Sequence, residues 1–84
     1  MACIKDHRYD IMYRQLPDDQ GGAGRHKCCG CAYERGYAMG LLRSENLNLD
    51  LDTLDESQAG TVRHKSPHAA YSLGYYHGVE QSYK

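Results

Sequence analysis

The fold is decided by a sixteen-residue stretch that the chain contains twice, as RHKCCGCAYERGYAMG at residues 25–40 and as RHKSPHAAYSLGYYHG at residues 63–78. Eight of the sixteen positions are identical at an offset of 38 residues. The identical pairs are Arg25/Arg63, His26/His64, Lys27/Lys65, Ala32/Ala70, Tyr33/Tyr71, Gly36/Gly74, Tyr37/Tyr75 and Gly40/Gly78. This identity predicts an internal duplication within a single domain of residues 1–84, with repeat 1 at about 9–42 and repeat 2 at about 47–80.

The matched positions predict one long helix in each repeat. The shared alanine, tyrosines and glycines follow the spacing i, i+1, i+4, i+5 and i+8, which is typical of one face of an α-helix. Ser66 is a favourable N-cap and Pro67 a favourable first helical residue, so we expect the second helix to begin there and to end near Tyr83. By register, the first helix begins near Cys28–Cys29 and ends near Ser44.

Four glycines recur inside the two predicted helices, although a glycine in a helix interior costs about 1 kcal/mol relative to alanine. Close packing of the helices explains this cost. We expect the helices to cross about a pseudo-two-fold axis, with Gly36 against Gly74 and the matched tyrosines beside them. A ligand pressed against the glycines is the less favoured alternative, because periodic small and aromatic residues usually indicate packing.

The type of the shorter element that begins each repeat remains open. Its apolar residues fit both a helical stripe and the alternation of a strand, and they occur at corresponding positions in the two repeats. They are Tyr9, Ile11, Tyr13 and Leu16 in the first repeat and Leu47, Leu49, Leu51 and Leu54 in the second. Because the polar residues between the leucines are poor strand formers, we favour a mainly α fold. In each repeat a short element, a Gly-containing loop and a long helix follow one another; an α+β fold with a short strand in each half is the alternative.

The length and charge of the chain limit its function. A chain of 84 residues has a marginal core unless a metal, a disulfide or a partner helps, so a homodimer is possible. Ten basic residues against eleven acidic ones argue against non-specific coating of nucleic acid, so a polyanion site must be a local patch. The sequence contains no apolar run of the length that a membrane span needs. We therefore expect a soluble cytoplasmic protein with no membrane partner.

The doubled Arg-His-Lys triplet is the best candidate for a binding site. It lies between a Gly-containing loop and a helix N-terminus, where backbone N–H groups and the helix dipole favour an anion. Internal pairing with acidic side chains is the alternative explanation. We expect a phosphate-bearing small molecule, such as a nucleotide, or nucleic acid as the partner, with tyrosine rings for base stacking. The candidate ligand-binding residues are Arg25, His26, Lys27, Arg63, His64, Lys65, Tyr33 and Tyr71.

A zinc site is a second possibility. Cys28 and Cys31 form a C-x-x-C pair, and His64 and His68 have the spacing of the histidine half of a Cys2His2 site. The four side chains could bind one metal ion if the two helix starts meet. However, the second repeat has no cysteine at the positions that correspond to Cys28 and Cys31. A zinc site therefore cannot be a feature that the two repeats share.

Catalysis is a third and weaker possibility. His26 and His64 could act as general acid and base on a phosphodiester, since an ordinary histidine has a pKa of about 6.5. A pair related by symmetry has no inherent means of separating its two pKa values. The sequence also lacks the G-x-S-x-G, P-loop, H-E-x-x-H and dinucleotide-binding motifs. We therefore favour a binding protein over an enzyme.

Overall fold

Two α-helices form the framework of the chain in the computed structural model: α1 spans Cys29–Leu41 and α2 spans Pro67–Ser82. The structure describes residues 15–17, 27–45, 48–54 and 65–84. No strand occurs within these ranges, although Lys27 and Lys65 each lie in an isolated β-bridge. The prediction of a mainly helical domain is confirmed for the described residues, and they give no support to the α+β alternative.

The start of α2 is as predicted. Ser66 has an extended backbone, and its Oγ accepts a hydrogen bond from the backbone N–H of Ala69 at 3.2 Å. Pro67 follows as the first helical residue, where its missing N–H costs nothing. The helix ends at Ser82 with Tyr83 as its C-cap, which agrees with the predicted end.

The end of α1 differs from the prediction. The helix ends at Leu41, three residues before the predicted end at Ser44, because Arg43 has a positive φ of 50°. The N–H of Arg43 bonds to the Gly40 carbonyl at 2.9 Å, and that of Ser44 bonds to the Met39 carbonyl at 3.0 Å. These two bonds form a Schellman motif, in which glycine is the usual residue at the left-handed position. Arginine at that position gave no sequence signal for the stop.

α1 and α2 pack backbone against backbone at the shared glycines. A Cβ added to Gly36 would lie 2.9 Å from the Tyr71 carbonyl carbon and closer still to its oxygen. A Cβ added to Gly40 would lie 2.9 Å from Gly78 Cα and closer to the Tyr75 carbonyl oxygen. Because backbone atoms cannot move aside as a flexible side chain can, only glycine fits at these positions. The prediction that the glycines serve close helix packing is confirmed.

The same contacts occur in the opposite direction. Gly74 lies against the backbone of Tyr33, and Gly78 lies against the backbone of Tyr37. Along both helices the contacts therefore advance in the same order, which means that α1 and α2 run parallel. One detail corrects the prediction: the tightest contacts of Gly36 are with the Tyr71 carbonyl group rather than with Gly74.

The buried core lies around the beginnings of both helices. α1 contributes a cysteine and an alanine, and its N-cap is a second buried cysteine. α2 contributes an alanine and a tyrosine, and the segments that precede the helices contribute one leucine each. The buried apolar residues are Leu16, Cys28, Cys29, Ala32, Leu54, Ala70 and Tyr71. Since residues from both helix starts share one cluster, the starts must lie close together.

The short element of the second predicted repeat is helical, as favoured, and consists of a single turn of 3-10 helix at Leu51–Thr53. Thr53 Oγ1 donates a hydrogen bond to the Asp50 carbonyl at 2.7 Å, a side-chain-to-backbone bond of the kind that competes with helix propagation. The guanidinium of Arg35 in α1 donates to Thr53 Oγ1 and, at 3.2 Å, to the Thr53 carbonyl. Most of the corresponding element of the first repeat lies outside the described residues.

Candidate functional site

The N-termini of α1 and α2 lie at the same end of the molecule, because the helices are parallel and their first turns share the core. The segments that precede the helices meet there too. The N–H of Ser66 donates a hydrogen bond to the Pro17 carbonyl at 2.7 Å. Lys27 Nζ lies 3.4 Å from the Leu54 carbonyl oxygen, which it reaches as a long hydrogen bond. Each helix start is thus joined to a segment of the other predicted repeat.

Two members of the doubled triplet are described. Lys27 and Lys65 are both half-buried and each directly precedes the N-cap of a helix. Neither helix has an acidic residue in its first turn. The positive ends of the two helix dipoles therefore lie at this end, beside Lys27 and Lys65. The remaining members, Arg25, His26, Arg63 and His64, lie outside the described residues.

The two helix starts have the same backbone but different caps. Cys28 and Ser66 have a φ of −74° and ψ values of 115° and 116°. The serine side chain caps α2, whereas the Cys28 side chain makes no capping hydrogen bond and is fully buried. Cys29 is buried as well, and Cys31 is half-buried. The cysteines of α1 thus lie in or beside the core, as thiols rather than in a disulfide.

The residues predicted to bind zinc are not assembled by the described part of the chain. Within it, no group of three or more histidine, cysteine, aspartate or glutamate residues is placed to hold a metal ion. Cys28 is buried at the start of α1, whereas His68 is exposed in the first turn of α2. His64 lies outside the described residues, so the complete set of four ligands stays a prediction.

The two tyrosines predicted to stack on a ligand have different environments. Tyr33 is half-buried, its hydroxyl forms a 2.7 Å hydrogen bond with His77 Nδ1, and its ring stacks near Tyr37 with centroids 6.3 Å apart. Tyr71 is only 5% exposed and lines a groove on α2. Tyr33 is therefore engaged in the contact between the helices, and Tyr71 belongs to a surface that could receive a ligand.

The groove has a volume of about 310 Å³ and lies between one face of α2 and the segment that precedes the 3-10 turn. Its α2 residues are spaced i, i+3, i+4 and i+7, so they share one helix face. The lining residues are Asn48, Leu49, His68, Tyr71, Ser72 and Tyr75. The groove begins in the first turn of α2, beside the end of the molecule that carries Lys27 and Lys65.

His68 was predicted as a metal ligand and Tyr71 as a stacking residue, but the groove that they share was not predicted. Asn48 and Ser72 were not identified at all. The helical spacing from His68 to Tyr75 was a usable signal for one wall. The other wall was not predictable, because residues 48–50 adopt no regular structure and their position depends on tertiary contacts.

Comparison with protein-family models, with curated proteins and with solved structures finds no match for the chain. What the protein does is therefore inferred from its own residues and geometry. In the part of the chain that the structure describes, neither helix combines the length and the apolar character that crossing a bilayer requires. The position of the helix starts and of the groove defines the candidate site. It is the end of the molecule where both helices begin, together with the adjoining groove.

Proposed function

We propose that this protein binds a phosphate-containing ligand, a nucleotide or a segment of nucleic acid, at the end of the molecule where α1 and α2 begin. The observation that carries the proposal is the parallel order of the glycine contacts. If the helices were antiparallel, the two Arg-His-Lys triplets would lie at opposite ends. Parallel helices bring Lys27 and Lys65, the last residue of each triplet, to one end, which supports a ligand shared by the two triplets.

An internal duplication with a pseudo-two-fold axis is part of the proposal. Two reciprocal contacts support it. Gly36 of α1 meets the Tyr71 carbonyl of α2, and the matching glycine of α2, Gly74, meets the matching carbonyl of α1. A two-fold axis between the helices would produce this exchange. An axis that runs along parallel helices would relate the two triplets across a single end. The ligand would then lie near this axis and contact both repeats.

The residue types of the triplet suit phosphate. An arginine guanidinium binds two phosphate oxygens in a fork, and a lysine ammonium adds a compact charge. Backbone N–H groups at a helix N-terminus provide further donors, and the dipole of the helix favours an anion. In the proposed site, Arg25 and Arg63 clamp the phosphate and Lys27 and Lys65 neutralise it. The whole chain has a net charge of −1, so the remainder of the chain is acidic on balance and favours binding at this patch alone.

A thermal-shift titration tests the proposal, with inorganic phosphate, pyrophosphate, nucleotides and short oligonucleotides as ligands. We expect stabilisation that decreases with added salt, because screening weakens charge interactions. The combined Arg25→Ala and Arg63→Ala variant should lose the shift. Arg43→Ala combined with Lys84→Ala removes the same charge at the other end of the helices and should keep it. An unchanged shift in the first variant would exclude the triplets as the site.

The zinc-stabilised interaction module, the phosphodiesterase and the homodimer stay predictions. No observation on the described residues favours them over phosphate binding. Metal analysis of protein purified without an affinity tag tests the first, since a zinc staple requires stoichiometric metal and unfolds with a chelator. Turnover that disappears in His26→Ala or His64→Ala would support the second. Sedimentation at several concentrations tests the third.

A further inference from the structure

Tyr71 is a buried tyrosine whose hydroxyl has no hydrogen-bond partner within the part of the chain that the structure describes. The neighbouring tyrosines are different. The Tyr33 hydroxyl bonds to His77 Nδ1 at 2.7 Å, and the Tyr75 hydroxyl donates to the Ser44 carbonyl at 2.8 Å. An unpaired buried hydroxyl is unfavourable, and buried tyrosines usually find a partner. Because Tyr71 lines the groove, its hydroxyl can find that partner in water or in a ligand held there.

The groove offers the space for that partner. Tyr71 lies in its wall, beside the imidazole of His68, the hydroxyl of Ser72 and the amide of Asn48. Each of these groups can donate or accept a hydrogen bond. The volume of about 310 Å³ is at the lower end of the range for ligand pockets, roughly 300 to 1,000 Å³. It suits one base with its ribose.

We propose that the groove binds the base and ribose of a mononucleotide, with the Tyr71 hydroxyl bonded to the edge of the base. This inference rests on the proposed function, because the phosphate of the nucleotide would lie at the shared helix N-termini. His68 is the second residue of α2, three residues after Lys65, so the groove adjoins the phosphate end. From there it extends along α2 to Tyr75, which leads away from the charged end.

The corresponding face of α1 is not suited to the same ligand. At the offset of 38 residues, Glu34 takes the position of Ser72, so α1 has a carboxylate where the groove of α2 has a small hydroxyl. Gly30 takes the position of His68 and supplies no side chain. The Tyr33 hydroxyl is already bonded to His77. We therefore expect one nucleotide per chain, although the triplet occurs twice.

Isothermal titration of the full chain tests the inference with four nucleosides, their 5′-monophosphates and pyrophosphate as probes. We expect every nucleotide that binds to do so more tightly than the corresponding nucleoside, with a stoichiometry of one per chain. Tyr71→Phe should weaken nucleoside and nucleotide binding roughly three- to tenfold, the effect of one lost hydrogen bond, and leave pyrophosphate binding unchanged. Tyr76→Phe alters a tyrosine that is 63% exposed and outside the groove, so it should change none of these affinities.

A second variant blocks the groove by bulk and shows whether loss of binding comes from the groove or from a change in the fold. Ser72 is exposed on α2, so Ser72→Leu fills the groove without burying a new group in the core. It should abolish nucleoside binding while the circular dichroism spectrum and pyrophosphate binding are retained. Two results would overturn the inference, whether or not pyrophosphate binds. In the first, nucleosides do not bind. In the second, both groove variants bind nucleotides as tightly as the unchanged protein does. If nucleosides bind in the groove but the Arg25 and Arg63 double variant binds nucleotides normally, the inference stands and the proposed phosphate site fails.

Discussion

α1 and α2 are alike where they touch each other and unlike where they do not. On the contact face each helix has two glycines pressed against tyrosine carbonyl groups of the other helix. At the starts and on the outer faces the helices differ: Ser66 caps α2 whereas Cys28 does not cap α1, and Ser72 corresponds to Glu34. A face of backbone contacts accepts only glycine. The free faces can accept different side chains, and the proposed nucleotide groove is formed on one of them.

The largest expected effect comes from breaking the contact face. Gly40→Ala should destabilise the protein by roughly 3 kcal/mol, at the upper end of the range for overpacking, because the new Cβ meets the Tyr75 carbonyl and Gly78 Cα. Helix propensity alone favours alanine by about 1 kcal/mol, so it predicts the opposite sign. Urea unfolding followed by circular dichroism measures the difference.

Two further variants serve as comparisons for Gly40→Ala. Gly78→Ala should cost nearly the same free energy, since the glycine contacts are reciprocal. Ala38→Gly, at an exposed position of α1, should cost only the propensity term of about 1 kcal/mol. A Gly40→Ala protein more stable than the original would show that the helices do not approach this closely.

The sequence predicts the contact face well because the same physical requirement, close approach of the two backbones, acts on both helices. Glycines at a helical spacing, repeated at the same positions, had no local reason to be there, and close packing explains all four. The start of α2 was also predictable, since Ser66 and Pro67 act through local hydrogen bonding. Both features depend on a regular spacing within a helix or on the hydrogen bonds of a few neighbouring residues, and the sequence contains that information.

The end of α1 and the groove could not be predicted for different reasons. Arg43 adopts a left-handed backbone that favours glycine, so the usual stop signal is missing. The groove depends on where residues 48–50 lie beside α2, and no periodicity fixes that position. The difference between the Tyr71 and Tyr33 hydroxyls was not predictable either, because the two tyrosines match in the sequence, which implied equal roles.

The matched tyrosines Tyr33 and Tyr71 allow a sharper test of the difference between α1 and α2. In the absence of ligand, Tyr33→Phe should destabilise the protein by about 0.5 to 1.5 kcal/mol, because it removes the hydrogen bond to His77. Tyr71→Phe should be neutral or stabilising, because it removes a buried hydroxyl without a partner in the described residues. Urea unfolding of both variants measures the difference. Equal destabilisation by the two substitutions would contradict the asymmetry of the helices.

The smallest expected effect concerns the C-terminal ends of the helices, where Arg43 connects α1 to α2. Its Nε donates to Ser82 Oγ at 2.9 Å, and its guanidinium carbon lies 3.8 Å from the centre of the Tyr83 ring. These contacts are exposed and individually weak, and a left-handed backbone at a residue other than glycine is unfavourable. Arg43→Ala loses the contacts and keeps the backbone strain, whereas Arg43→Gly loses the contacts and relieves it.

We therefore expect Arg43→Gly to be more stable than Arg43→Ala by about 0.5 to 1 kcal/mol, with the unchanged protein close to the glycine variant. Thermal unfolding of the three proteins under the same conditions measures the order. If the alanine variant equals the glycine variant, the left-handed turn at Arg43 is not what ends α1. If both fall well below the unchanged protein, the contacts to Ser82 and Tyr83 outweigh the strain, and Arg43 is kept for joining the two helix ends.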